Sequence, residues 1–91
     1  MDSPQRDAFA ARVLEILRET AGTDEVCTNL DLPLYTDGLL DSLATVMLMA
    51  AFADRLQIDV SPAEFDVNAW GTPRLLIDDL WRRTPAGRPK A

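Results

Sequence analysis

Residues 36–57 read TDGLLDSLATVMLMAAFADRLQ, and this stretch decides the fold. Asp41 stands directly before a long apolar run, and aspartate is one of the residue types preferred at the N-cap of a helix. No charged residue occurs between Leu43 and Ala53. We therefore predict a helix that begins at Asp41–Ser42 and ends near Gln57.

This predicted helix is apolar on nearly all sides. One stripe has the spacing of a buried helix face and comprises Thr45, Leu48, Phe52 and Leu56. The opposite stripe comprises Leu43, Met47 and Ala50 and ends in Asp54. A small helical domain cannot cover a helix on every side, so we expect the second stripe to be exposed as a partner site. The alternative is that the preceding loop covers Leu43 and Met47.

Start signals define the remaining helices. Ser3–Pro4 predicts the start of a first helix that ends at Gly22, because proline suits the first helical position and glycine suits the end. Residues 23–41 have irregular spacing and are predicted to form a long loop, which Tyr35 and several leucines anchor. The Ser-Pro-Ala-Glu run at 61–64 resembles a capping box and predicts a short helix before Gly71. Thr72–Pro73 predicts the start of the last helix.

The sequence thus predicts an all-α fold, a four-helix bundle with three main helices, one short helix and a long first loop. We expect one domain over residues 1–84. Residues 85–91 contain two prolines and a glycine but no large apolar residue, which favours a disordered tail.

Composition excludes several classes of function. The chain has 91 residues and a net charge of -6, which disfavours nucleic acid as a partner. Histidine is absent, so neither a Ser-His-Asp triad nor a histidine-bearing metal site can form. The single Cys27 allows no internal disulfide and fits a reducing, cytoplasmic location. No apolar run is long enough to cross a bilayer, and the first residues do not resemble a signal peptide. We expect a monomer that is not inserted in a membrane.

Ser42 is the candidate functional residue. Its hydroxyl is expected to be exposed in the first turn of the central helix. An anionic group attached there would meet backbone N–H groups and the positive end of the helix dipole. Taken alone, a serine after an aspartate is also what ordinary helix capping produces.

Three motifs in order add a family resemblance. Asp41-Ser42-Leu43 resembles the attachment motif of acyl and peptidyl carrier proteins. The series LYTDGLLDSL at 34–43, SPAEFD at 61–66 and WGTP at 70–73 is similar, more narrowly, to the D-alanine carrier proteins of teichoic-acid D-alanylation. The resemblance implies a non-catalytic carrier with 4′-phosphopantetheine esterified to Ser42, next to Asp41. It implies as partners a phosphopantetheinyl transferase, an amino-acid adenylating enzyme and a downstream acyltransferase or synthase.

The sequence departs from the common carrier pattern at two places. Leu39 stands where most carriers have glycine, and Gly38 comes one residue earlier, as in the D-alanine carriers. Acidic residues that follow the serine in fatty-acid carriers are replaced by Ala44, Met47 and Ala53. This suggests docking through apolar contacts. The expected partner-binding residues are Leu39, Leu43, Met47, Ala50 and Asp54.

The resemblance implies an aminoacyl cargo, whereas the pathway is predicted from composition. Eight arginines against one lysine, with twelve alanines, indicate coding in a GC-rich genome. We therefore expect an aminoacyl carrier of a natural-product pathway that makes a polyketide or nonribosomal peptide. The first alternative is a D-alanyl carrier for teichoic-acid D-alanylation. An alternative of another class is an unmodified helical interaction module.

Overall fold

The computed structural model describes residues 4–36, 38–61, 63 and 65–84. It contains four helices in the described residues: α1 (Pro4–Ala21), α2 (Glu25–Thr28), α3 (Ser42–Leu56) and α4 (Pro73–Arg83). The described residues contain no strand. The predicted all-α fold with three long helices, one short helix and a long first loop is therefore confirmed.

The core lies where α1 packs against the other three helices. Each long helix contributes a buried apolar stripe, and the connecting segments add further leucines and one tryptophan. The buried apolar residues are Val13, Ile16, Leu17, Val26, Leu32, Leu34, Leu40, Leu48, Phe52, Ile58, Val60, Trp70, Leu76, Ile77 and Leu80. Of the face that the spacing predicted to be buried on the central helix, Thr45, Leu48 and Phe52 are buried. Leu56, its last member, is partly buried against the core.

The ends of the long helices follow the local signals. Gly22 has a φ of 76°, and its N–H donates to the carbonyl of Arg18 at 2.8 Å, which ends α1. At the end of α3, Gln57 adopts the left-handed conformation and the N–H of Ile58 donates to the carbonyl of Phe52 at 3.1 Å. The side chain of Thr72 caps α4. Ser3, the predicted cap of α1, lies outside the described residues.

The predicted position of the short helix is wrong. The described residues between Gln57 and Thr72 form turns and irregular backbone, and the short helix is α2, inside the first loop. The carboxylate of Asp66 accepts a hydrogen bond from the N–H of Asn68 at 2.9 Å, so a local side-chain turn replaces helical hydrogen bonding. Glu64, part of the predicted capping box, lies outside the described residues.

The first loop is held against the core by its leucines and by the backbone near α4. Leu32, Leu34 and Leu40 are buried. The N–H of Leu34 donates to the carbonyl of Gly71, and the N–H of Arg74 donates to the carbonyl of Leu30, both at 2.9 Å. The predicted attachment of this loop is thus confirmed. Residues 85–91, the predicted disordered tail, lie outside the described residues.

None of the helices in the described part of the chain combines the length and apolar character that crossing a membrane requires.

Candidate functional site

Ser42 is the first residue of α3, and its side chain is exposed. The preceding Asp41 is extended, and its Oδ1 accepts a hydrogen bond from the N–H of Ala44 at 2.8 Å. This is the geometry of a side-chain N-cap. The seryl hydroxyl therefore lies at the positive end of the helix dipole, where an attached phosphate is favoured.

A partly buried chain of hydrogen bonds supports this helix start. The hydroxyl of Thr45 donates to the backbone carbonyl of Asp41 at 2.8 Å, and the phenol oxygen of Tyr35 lies 2.6 Å from the same hydroxyl. Thr45 has one hydroxyl proton, which is used toward Asp41, so Tyr35 is the donor of the second bond. Burial raises the pKa of Tyr35 above its ordinary value. The phenol is therefore protonated at neutral pH and able to donate.

An open groove lies beside Ser42 between α3 and the segment that precedes α4. Its volume is about 490 Å³. Polar side chains surround the end nearest Ser42, and apolar side chains supply most of the remaining wall. The lining residues are Tyr35, Asp41, Ser42, Thr45, Val46, Met49, Phe65 and Val67. A flexible group attached to Ser42 would thus have room on this side of the helix.

The second stripe of α3 is exposed and is not covered by the preceding loop. Leu43 retains 69% of its surface and Met47 54%, and Ala50 and Asp54 are also exposed. The structure therefore excludes the alternative in which the loop covers Leu43 and Met47. Leu39 differs from the other predicted partner residues, because it is half-buried and packs against the core.

Two exposed apolar residues near this stripe were missed by the sequence analysis. Val46 is 57% exposed and Val67 is 44% exposed. Val46 follows Leu43 by three residues, so helical spacing alone could have placed both on neighbouring surface. Val67 lies in an irregular segment where no periodic signal exists. We use the name docking face for Leu43, Val46, Met47 and Ala50.

Comparison with known families agrees with this geometry. Residues 11–80 match the family described as the phosphopantetheine attachment site. The match covers most of the chain, which therefore belongs to this family of carrier domains, whose cofactor is covalently attached 4′-phosphopantetheine. An exposed hydroxyl at a capped helix start, with open space beside it, fits such a group. The unmodified helical interaction module is consequently a poorer explanation of the chain.

Several similar relatives are D-alanyl carrier proteins. The protein of Listeria monocytogenes serotype 4a is 48% identical over 73 residues, which are 80% of this chain and 94% of the relative. The protein of Enterococcus faecalis is 47% identical over 68 residues, 75% of this chain and 87% of the relative. That of Bacillus mycoides is 44% identical over 72 residues, 79% of this chain and 91% of the relative.

These relatives correct the predicted pathway. A natural-product role was inferred from the excess of arginine and alanine, and the relatives point instead to D-alanyl transfer. The composition argument failed because the numbers of arginines and alanines say nothing about the group that Ser42 would hold. The motifs around Ser42 were the better guide.

Proposed function

We propose that this chain is a D-alanyl carrier, with the prosthetic group attached to Ser42. The observation that carries the proposal is the similarity to D-alanyl carrier proteins at 44–48% identity, extending over 91–94% of the Listeria and Bacillus relatives. When bound, the prosthetic group supplies a thiol that holds the aminoacyl group as a reactive thioester. The protein itself supplies the anchor and the surface that partner enzymes recognise.

The position of Ser42 supports its assignment as the attachment residue. The chain has three serines, Ser3, Ser42 and Ser61. Ser3 lies outside the described residues, and Ser61 is exposed in the irregular segment after α3. Of the two described serines, Ser42 is the one that combines an exposed hydroxyl with a capped helix N-terminus. Asp41 holds this arrangement through its side chain.

The proposed partners follow from the chemistry of a passive carrier. A phosphopantetheinyl transferase attaches the arm, an enzyme that activates D-alanine as an adenylate loads it, and an acyltransferase removes the D-alanyl group. We propose that these enzymes contact the docking face on α3. The half-buried Leu39 contributes to recognition from the loop side, and Asp54 marks the polar edge of the face.

The attachment site is tested by mass spectrometry of the intact chain. The wild-type protein is incubated with coenzyme A and a broad-specificity phosphopantetheinyl transferase. We expect it to gain the mass of one phosphopantetheine. Ser42→Ala should gain nothing, and the matched control Ser61→Ala should gain as much as wild type. Equal modification of Ser42→Ala would show that the arm is attached elsewhere.

The cargo is tested on the modified protein. We expect a D-alanine-adenylating enzyme to load it with D-alanine and to load L-alanine far less. The unmodified chain and Ser42→Ala serve as controls, because neither has a thiol on a pantetheine arm. Loading by malonyl or fatty-acyl transferases, with none by D-alanine activation, would contradict the proposed cargo while leaving the attachment site intact.

A further inference from the structure

The one buried polar side chain among the described residues is that of Thr45, in the first turn of α3. Thr45 is 5% exposed, and its Oγ1 both donates to the carbonyl of Asp41 and accepts from Tyr35. A buried hydroxyl that makes both bonds is fixed in one orientation. The chain of hydrogen bonds thus runs from the first loop, through α3, to the backbone that precedes Ser42.

This chain of hydrogen bonds restrains the peptide unit between Asp41 and Ser42. The carbonyl of Asp41 and the N–H of Ser42 belong to the same planar peptide group, so fixing one fixes the plane of the other. The Asp41 carbonyl accepts two hydrogen bonds, from the N–H of Thr45 at 2.9 Å and from its hydroxyl at 2.8 Å. The second of these bonds depends on a hydroxyl that Tyr35 holds in place.

We propose that Tyr35 is a positioning residue for the modification of Ser42, acting through Thr45 and the Asp41 carbonyl. This inference rests on the proposed function, because it concerns the same serine. In the modification step, Ser42 Oγ forms a bond to the phosphorus of the phosphopantetheine moiety of coenzyme A. The bond from that phosphorus to the oxygen of the departing nucleotide breaks, and the hydroxyl proton passes to a base of the transferase.

The expected kinetic signature follows from where the chain of hydrogen bonds acts. Orientation of the attacking oxygen affects the reaction step, whereas binding of the transferase depends on exposed residues such as Leu43 and Met47. Tyr35→Phe removes the phenol oxygen and keeps the ring. We therefore expect Tyr35→Phe to lower kcat about fivefold and to leave KM for the carrier nearly unchanged, the size of effect typical of losing one neutral hydrogen bond.

The test compares five variants in the transferase reaction, measured by initial rates under conditions where each is folded. Thr45→Val removes the hydroxyl that links Tyr35 to the Asp41 carbonyl, and it should lower kcat at least as much as Tyr35→Phe. The double variant should be no slower than Thr45→Val, because the two residues act in series. Thr45→Ser keeps the hydroxyl and should recover most of kcat. Thr20→Val is the matched control, since the Thr20 hydroxyl makes the same type of bond, to the carbonyl of Ile16 at 3.1 Å in α1.

The outcomes separate this inference from the proposed function. A kcat for Tyr35→Phe equal to that of wild type would overturn the positioning role while leaving Ser42 as the attachment site. A fall in kcat for Thr20→Val as large as for Thr45→Val would also overturn it, because the effect would then be one of general stability. Absence of any modification in the wild-type chain would refute both.

Discussion

Met47→Glu is the sharpest test of the docking face on α3. Met47 retains 54% of its surface in the free protein. Full burial of such a side chain is worth about 1.5–3 kcal/mol, so covering the exposed half contributes roughly 0.8–1.6 kcal/mol to docking. Met47→Ala should therefore slow D-alanyl loading by about 4- to 15-fold at subsaturating carrier, at 1.4 kcal/mol per factor of ten.

Met47→Glu should have a larger effect than Met47→Ala. In the proposed complex the new carboxylate would face an apolar partner surface, and burying a polar group without a hydrogen-bond partner costs about 1–3 kcal/mol more. The combined loss predicts a decrease in loading rate of at least about 20-fold. The helix should remain folded, because glutamate is a good helix former and position 47 is exposed.

The assay follows the loading of radiolabelled D-alanine onto the phosphopantetheine-modified chain, with circular dichroism as the folding control. Leu75→Glu is the matched substitution, because Leu75 is an exposed leucine, 43% accessible, on α4. It should leave the rate within about twofold of wild type. Asp54→Lys should also change the rate little, and loading should persist at about 0.5 M salt, where the Debye length falls to roughly 4 Å. Normal loading of Met47→Glu, together with failure of Asp54→Lys or failure in salt, would show that docking is electrostatic.

Three further predictions concern stability. Asp41→Ala should lower the free energy of unfolding by about 1 kcal/mol in urea denaturation, and Asp41→Asn should recover most of this loss, because asparagine also caps helices. Tyr35 is the only tyrosine, and burial raises its pKa. The folded protein therefore keeps the phenol proton to higher pH than the unfolded protein does. The free energy of unfolding should fall as the pH rises above about 10, the usual pKa of tyrosine. An equally steep fall with pH in Tyr35→Phe would contradict this. Trp70→Phe should lower the free energy of unfolding by roughly 1–3 kcal/mol, because the indole N–H that donates to Asp79 at 2.9 Å is lost; an unchanged urea midpoint would contradict it.

The sequence predicted the long helices well because their signals are local. The central helix was expected from Asp41–Ser42 to about Gln57 and is observed as Ser42–Leu56. A side-chain cap, an uncharged run and a consistent apolar spacing all act within a few residues of one another. The exposure of Leu43 and Met47 could also be predicted, since one helix cannot bury two opposite faces in so small a domain.

The short helix was misplaced because its stability is not local. α2 spans Glu25–Thr28, and its N-cap residue Asp24 makes no side-chain capping hydrogen bond. Its one buried residue is Val26, which joins the core built by the long helices. A single apolar residue has no periodicity, so the sequence contains no pattern that would reveal this helix.

In the segment before α4, a local signal predicted a helix that the described residues do not form. The start signal at 61–64 predicted helix, but aromatic packing dominates the structure there. The ring of Phe65 lies 5.1 Å from that of Trp70, and Trp70 lies 5.7 Å from Phe52, both in edge-to-face arrangements. The indole of Trp70 is 1% exposed, and buried aromatic side chains contribute strongly to the stability of a core. These contacts depend on α3 and could not be read from the segment alone.

The long first loop has a structural reason that connects these features to Ser42. Gly38 has a φ of 77°, which favours glycine, and its N–H donates to the carbonyl of Tyr35 at 3.1 Å. The N–H of Leu40 then donates to the carbonyl of Leu34 at 2.9 Å, so the chain turns back on itself directly before Asp41. This reversal brings Tyr35 under the first turn of α3. The side chain of Ser42 is therefore exposed while hydrogen bonds from Tyr35 and Thr45 hold the backbone that carries it.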